Sequence, residues 1–187
     1  SLNVMGDGGM IVTNDDKIAK WVKKYRNHGM VNRDNIDIWG VNMRLQPLQA
    51  IVANEGLKKL TKVIEKRNYN AKILDKELKK LYPKIIIPKR LLEHTETFAL
   101  YMIQCEDRDN LIKYLTKHKI EVKIHYPLPL NKQKAAKNLK LNQRNFTVAN
   151  KQAKKIITLP IHQYLSKKHI SYIAHKIKNF YENKYTT

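Results

Sequence analysis

The chain can be read outward from the segment Trp39-Gly40-Val41-Asn42-Met43-Arg44-Leu45-Gln46-Pro47-Leu48-Gln49-Ala50, which leads into its longest helical pattern. Pro47 suits the first turn of a helix, because its missing N–H is not needed there and its φ is already helical. Asn42 and Arg44 therefore fall in an extended run just before a helix, with both side chains on one face. An amide and a guanidinium in that place suit an anion such as phosphate, although they also fit a polar loop before a core helix.

Helical spacing of apolar residues continues from Pro47 to about Tyr82, which is long for a globular helix. Gly56 and the run 68–70 are positions where such a helix could bend or break. A long, lysine-rich helix often links two domains, and Pro83 ends this one. The predicted domains are therefore 1–82 and 83–187.

The residues before this helix predict a turn, a strand and a shorter helix. The turn is Gly6-Asp7-Gly8-Gly9, and the strand is Met10-Ile11-Val12-Thr13. Asn14 or Asp15 caps a helix that ends near Arg26, where Gly29 supplies the C-cap.

The second half predicts a small α/β unit. Strands are expected at 85–87, 98–105 and 120–124, the second of them central and covered on both faces. Asp107 and Ser166 are each expected to cap a helix, a further helix is expected around 149–156, and a turn is expected at 158–162. The rigid segment 125–129 holds two ring side chains at a strand end.

Composition limits the class of protein. The chain has 187 residues, 42% hydrophobic and 28% charged, which indicates a globular protein of one domain or two small ones. Its single cysteine, Cys105, fits a reducing compartment, and no apolar run is long enough for a bilayer, so a cytoplasmic location is expected. The net charge of +21 comes from lysines spread over the whole chain, which is weak support for nucleic acid and modest support for small anions.

Residue patterns alone indicate no catalytic group. The histidines are not spaced as metal ligands, and Cys105 lies in a buried strand pattern where an inert thiol is expected. No phosphate-binding loop of the P-loop or Rossmann type is present. The anion-facing pair near Pro47 is the one chemical feature that spacing supports.

Five short blocks occur in order along the chain. They are Leu2-Asn3-Val4-Met5-Gly6-Asp7-Gly8-Gly9-Met10-Ile11-Val12-Thr13, Arg26-Asn27-His28-Gly29, Gly40-Val41-Asn42-Met43-Arg44-Leu45 with Leu48-Gln49-Ala50, His125-Tyr126-Pro127-Leu128-Pro129-Leu130, and Leu159-Pro160-Ile161-His162. Together they resemble the DegT/DnrJ/StrS family of pyridoxal-phosphate sugar aminotransferases. Each block is weak by itself, but their order over almost the whole chain makes a strong signal.

The resemblance implies an α/β fold, namely the C-terminal part of a fold-type-I, aspartate-aminotransferase-like enzyme. Residues 1–82 would be the end of the large cofactor-binding domain plus a linking helix, and 83–187 the small C-terminal domain. In that family the Schiff-base lysine directly precedes the block that begins here at Ser1. The chain is therefore expected to be a portion of a longer enzyme, to hold no catalytic residue itself and to be inactive alone.

The resemblance also implies roles for particular residues. Asn42 would reach the pyridoxal 5'-phosphate of the neighbouring subunit in a homodimer, and Gly8 and Gly9 would let the backbone turn tightly behind the lysine. Arg44 would contact substrate. The rings of His125 and Tyr126 would face the sugar. No metal is implied.

The implied reaction moves an amino group from an amino acid, expected to be glutamate, to a keto-sugar nucleotide in amino-sugar and cell-surface polysaccharide biosynthesis. One alternative is a sugar dehydratase of the same fold, in which a histidine replaces the lysine. Another is a free-standing basic module that binds polyanions without catalysis and whose affinity falls steeply with salt.

Overall fold

The computed structural model describes residues 2–139 and 146–183. Contacts divide the chain into two compact units, Leu2–Thr61 and Lys62–Thr187, which we call the amino-terminal and carboxy-terminal units. This division falls inside the long helix, whereas the predicted domain boundary lies after Tyr82. The predicted domain assignment, which refers to a larger enzyme, stays a prediction.

In the amino-terminal unit, helix α1 spans Asp16–Tyr25. Asp15 Oδ1 caps it by accepting hydrogen bonds from the N–H groups of Lys17 (2.7 Å) and Ile18 (3.2 Å). At the other end the Gly29 N–H donates to the Lys24 carbonyl across 2.9 Å. Both predicted helix signals are confirmed.

The predicted strand at 10–13 is not formed. Met10, Ile11 and Val12 are 79%, 68% and 85% exposed, and no other described residue forms a ladder with them. A segment of residues with high strand propensity becomes a strand only when a partner strand takes up its backbone hydrogen bonds, so composition alone was a poor guide here.

Helix α2 spans Pro47–Leu78, and a 3₁₀ turn at Lys79–Leu81 follows. Pro47 is the first residue, as predicted, and the helix is not interrupted at the positions where a bend or break was possible. The helix continues through Asn68, whose Nδ2 donates to the Ile64 carbonyl (2.9 Å) and the Glu96 carbonyl (2.7 Å). At Gly56, a Cβ would lie 2.6 Å from Leu2 Cδ1, so the glycine makes room for a neighbouring side chain, and the helix continues through this position.

The carboxy-terminal unit contains a three-stranded antiparallel sheet in the order β1-β2-β3. The strands are β1 (Ile85–Ile86), β2 (Tyr101–Cys105) and β3 (Ile156–Leu159). The central position of β2 is confirmed. Its expected cover on both faces is wrong, because Tyr101 and Ile103 are buried whereas Met102 is 38% exposed.

Three further helices complete this unit: α3 (Arg108–Lys117), α4 (Thr147–Ala153) and α5 (Lys167–Asn183). One hydrophobic core joins the buried face of the sheet to the end of α2, to α3 and to α5. The prediction that the Asp107 side chain caps α3 is wrong: Asp107 precedes the helix with φ 49°, and its side chain makes no capping hydrogen bond to a helix N–H. Ser166 caps α5, since its Oγ accepts from the His169 N–H at 3.2 Å.

The segments near β3 differ from expectation. The predicted helix at 149–156 ends at Ala153, and the residues expected to begin a turn at Thr158 form β3 instead. The predicted strand at 120–124 is reduced to one bridge between Lys123 and Thr158. Pairing with β2 makes residues 156–159 a strand, and such pairing is not visible in local sequence. No helix in the described part of the chain is long and apolar enough to cross a membrane.

Candidate functional site

The Asn42 segment is fastened to the end of α1 by backbone hydrogen bonds. The N–H of His28 donates to the Val41 carbonyl (3.0 Å), and the N–H of Met43 donates to the Arg26 carbonyl (2.9 Å). Asn42 therefore lies in a short antiparallel bridge opposite Asn27. Its side chain is exposed, and its amide has no hydrogen-bond partner among residues 2–139 and 146–183. A fixed backbone thus presents an amide that is ready to bind.

Arg44 follows on the same extended run, as predicted. Its Nε donates to Asn27 Oδ1 across 2.8 Å, and Arg26 Nε donates to the Met43 carbonyl across 3.3 Å. Neither guanidinium forms an ion pair with a carboxylate elsewhere in the described residues. The two cations therefore give this edge a positive field suited to an anion.

Two glycines allow these segments to approach each other. Gly29 has φ 73°, and a Cβ there would lie 1.6 Å from the Ile38 carbonyl oxygen. A Cβ on Gly40 would lie 2.3 Å from the Gly29 nitrogen and 2.6 Å from the Tyr25 carbonyl oxygen. Side chains at either position would separate the Asn42 segment from α1.

Gln49 ties the glycine-rich turn to the start of α2. Its Nε2 donates to the Asp7 carbonyl (3.1 Å), while its Oε1 accepts from the Gln46 N–H (3.2 Å), as in a capping box. A Cβ on Gly8 would lie 2.9 Å from Val4 Cγ2, whereas nothing lies within 4 Å of one on Gly9. The missing Cβ at Gly8 thus permits the Val4 side chain to lie close to the backbone, whereas the space around Gly9 would accept a Cβ. Sequence reasoning gave Gln49 no role, although a glutamine three residues after the N-cap is the relevant signal.

In the carboxy-terminal unit, His125 contacts a residue that sequence reasoning did not single out. The distance between His125 Nδ1 and Thr158 Oγ1 is 3.1 Å. The ring of Tyr126 stands edge-on to that of His125, with 6.4 Å between centroids, and is 72% exposed. Tyr126 has φ 57°, so a backbone turn sets the direction of its side chain. The two predicted rings therefore lie together, as expected from their adjacency.

Thr158 also lines a cavity of about 200 Å³, together with Leu159, Pro160 and His162. Arg67 lines the same cavity. Its Nε and Nη2 donate to Gln163 Oε1 (3.1 and 3.0 Å), and its Nη1 donates to the Phe98 carbonyl (3.2 Å). These acceptors are neutral, and Arg67 forms no ion pair with a carboxylate in the described part of the chain, so the cavity wall carries a positive charge.

The predicted site residues fall into two groups. Asn42, Arg44, Gly8 and Gly9 belong to the amino-terminal unit, and the pair 125–126 belongs to the carboxy-terminal unit.

Other candidate chemistry is not supported by the described residues. Among residues 2–139 and 146–183, no three His, Cys, Asp or Glu side chains cluster as metal ligands would. The Cys105 side chain is buried, and burial raises its thiol pKa to about 11. A protonated, inaccessible thiol is a poor nucleophile, in agreement with the inert role expected for it.

The class of protein follows from comparison with known families. The DegT/DnrJ/EryC1/StrS aminotransferase family matches residues 1–178, and the chain belongs to that family. The resemblance inferred from the five sequence blocks is thus confirmed.

Individual relatives agree with this assignment. The chain is 32% identical to the erythromycin biosynthesis sensory transduction protein EryC1 of Saccharopolyspora erythraea, over 95% of this chain and 48% of that protein. Identity is also 32% to the UDP-2-acetamido-2-deoxy-3-oxo-D-glucuronate aminotransferase of Pseudomonas aeruginosa, with the same coverage. Helicobacter pylori PseC, an aminotransferase of pseudoaminic acid biosynthesis, superimposes with a TM-score of 0.80 at 26% identity, over 91% of this chain and 48% of that one. The chain spans about half the length of the curated relatives it matches.

Proposed function

We propose that this chain is part of a pyridoxal-phosphate-dependent aminotransferase that moves an amino group from glutamate to the ketone of a nucleotide sugar. The observation that carries the proposal is the side-chain amide of Asn42. Backbone hydrogen bonds of the residues on either side hold this segment, and the amide has no partner among the described residues, so it is free to donate. Family membership supports the reaction class, and the substrate named for the Pseudomonas aeruginosa relative supports a 3-keto sugar nucleotide as the first to test.

Asn42 fits the task of binding a cofactor phosphate. Its amide donates a hydrogen bond without adding charge, and the nearby guanidinium groups of Arg26 and Arg44 favour an anion at this edge. When bound, pyridoxal phosphate would supply the electron sink of the reaction. The chain's own residues would bind and orient: Asn42 the phosphate, and Arg44 an anionic group of substrate.

A homodimer is part of the proposal, with Asn42 reaching the partner's cofactor. Exposed apolar side chains in the amino-terminal unit support contact with further protein surface, since Met5, Trp39 and Leu48 are 81%, 92% and 77% exposed. A cytoplasmic location is also proposed, because the single cysteine fits a reducing compartment.

We assign no lysine of this chain to the Schiff base, so the chain by itself should be catalytically silent. Borohydride reduction of the cofactor-loaded product of the complete gene, followed by peptide mass spectrometry, should find the pyridoxyl group on a lysine outside residues 1–187. A pyridoxyl lysine within these residues would overturn this assignment.

The reaction is tested with the same complete gene product, a UDP-3-keto sugar and glutamate. We expect a UDP-amino sugar and 2-oxoglutarate in equal amounts by mass spectrometry. Loss of water from the sugar without nitrogen transfer would favour the dehydratase. No turnover with any keto-sugar nucleotide would count against both the aminotransferase and the dehydratase.

The Asn42 role is tested by cofactor titration followed by absorbance. Asn42→Ala should weaken binding about fivefold, as expected for one hydrogen bond, and Asn42→Asp should weaken it further through repulsion of the phosphate. Asn32→Asp, which adds the same charge in an exposed loop, serves as the control. Equal affinities for wild type and Asn42→Asp would remove Asn42 from the cofactor site.

A further inference from the structure

We propose that Thr158 is a positioning residue that holds His125 in the tautomer with its proton on Nε2, so that the imidazole offers substrate a hydrogen-bond donor and not a base. The part that concerns substrate rests on the proposed function. The part that concerns the tautomer rests on the geometry of the carboxy-terminal unit alone.

The Thr158 side chain is held firmly in place. Thr158 pairs with Met102 across β2 and β3, so both side chains lie on the less covered face of the sheet. Its backbone N–H donates to the Lys123 carbonyl (2.8 Å), and its carbonyl accepts from the Lys123 N–H (3.3 Å). Although the face is open at Met102, Thr158 is only 9% exposed. Its hydroxyl is therefore largely shielded from bulk solvent.

The hydroxyl has one hydrogen-bond partner among the described residues, His125 Nδ1 at 3.1 Å. A threonine hydroxyl always carries one hydrogen to donate, and a buried donor left unpaired costs about 1–3 kcal/mol. If Nδ1 carried the ring proton, the Thr158 hydrogen would have no acceptor within the described structure. The satisfied arrangement has Thr158 donating to Nδ1, which puts the proton of the neutral ring on Nε2.

This arrangement defines what His125 can do. Nε2 has no hydrogen-bond partner among residues 2–139 and 146–183, so its N–H is available to a ligand. A neutral ring in this tautomer cannot take up a proton at Nε2, but it can donate to a phosphate, hydroxyl or ketone oxygen. The cavity of about 200 Å³ that Thr158 also lines gives such a group room nearby. His125 is thereby assigned to binding and orientation.

The tautomer can be measured directly by long-range ¹H–¹⁵N correlation on the 187-residue chain with labelled histidines, at a pH where imidazoles are neutral. The variant His125→Gln identifies which signals belong to His125. We expect the Nε2–H form in wild type and in Thr158→Ser. In the near-isosteric variant Thr158→Val, the ratio of the Nε2–H to the Nδ1–H tautomer should fall about fivefold, the size expected for one lost neutral hydrogen bond. Thr116→Val, at an exposed position of α3, should change nothing.

The matching readout in the complete enzyme is the split between KM and kcat. Thr158→Val should raise KM for the sugar nucleotide about fivefold with kcat retained, and Thr158→Ser should restore it. A wild-type ring protonated at Nδ1, or a tautomer unchanged in Thr158→Val, overturns the inference whatever the activity. Absence of transaminase activity beside the expected tautomers counts against the proposed function alone.

Discussion

Arg44 Nε donates to Asn27 Oδ1 across 2.8 Å. This hydrogen bond joins the extended run before α2, in which Arg44 lies, to the loop that follows α1. A free arginine samples many rotamers, and holding it in one lowers the entropy lost when it binds an anion. Asn27 therefore prepares Arg44 for its proposed contact with substrate.

Asn27→Ala should raise KM for the sugar nucleotide about fivefold in the complete enzyme while kcat stays close to wild type, because the lost interaction affects binding uniformly. Steady-state kinetics with the keto-sugar nucleotide measures both constants. Asn54→Ala, at an exposed position of α2, is the matched control. An unchanged KM in Asn27→Ala would show that Arg44 needs no such support.

Gly29→Ala should lower the free energy of unfolding by more than about 2 kcal/mol, because the methyl group would lie 1.6 Å from the Ile38 carbonyl oxygen at a positive φ. Gly9→Ala is the control, since nothing lies within 4 Å of its added Cβ, and it should be neutral or slightly stabilising. Urea unfolding followed by circular dichroism measures both. Similar losses in the two variants would contradict the packing described for Gly29.

Tyr101→Phe should destabilise the carboxy-terminal unit by about 1.5–3 kcal/mol, the cost of a buried hydrogen bond to a charged group. The Tyr101 hydroxyl donates to Asp75 Oδ1 at 2.6 Å, and Arg90 Nε donates to Asp75 Oδ2 at 3.1 Å. Burial, followed by the Asp75 contact, raises the pKa of Tyr101, so the hydroxyl remains a donor well above neutral pH.

The control for Tyr101 is Tyr172→Phe. The Tyr172 hydroxyl donates to the His118 carbonyl at 3.3 Å from a side chain that is 44% exposed, so water can replace the bond at little cost. Denaturant unfolding of both variants decides the comparison. Equal stability of Tyr101→Phe and wild type would mean that Arg90 alone satisfies Asp75.

Stability should fall by about 1–2 kcal/mol between pH 8 and pH 10 because of Cys105. Its folded pKa is raised to about 11 from 9.0, so the unfolded chain releases this proton first. The contribution is complete below the unfolded pKa and is lost as pH rises through the folded value. Urea unfolding at the two pH values should show a smaller loss for Cys105→Ala, and identical losses would refute this account.

Elements with strong local signals were predicted well from sequence. Asp15 and Gly29 marked the ends of α1, Pro47 marked the start of α2, and Ser166 marked the start of α5. Each signal depends on the chemistry of one or two residues with their own backbone, so no distant partner is needed.

Elements that depend on distant partners were predicted less well. Met10 to Thr13 has strand composition but no ladder, whereas Ile156 to Leu159 becomes a strand because β2 pairs with it. The link between Thr158 and His125 lies next to a separate bridge between Lys123 and Thr158, and it was not anticipated.

The sequence by itself determined both ends of α1, the starts of α2 and α5, the central position of β2 and the family, because caps, alternation and ordered blocks are properties of neighbouring residues. Only the tertiary structure decided that Gln49 fastens the glycine turn and that a hydroxyl on β3 faces His125. Those contacts join residues 42 and 33 positions apart, so they depend on how distant segments of the chain pack together.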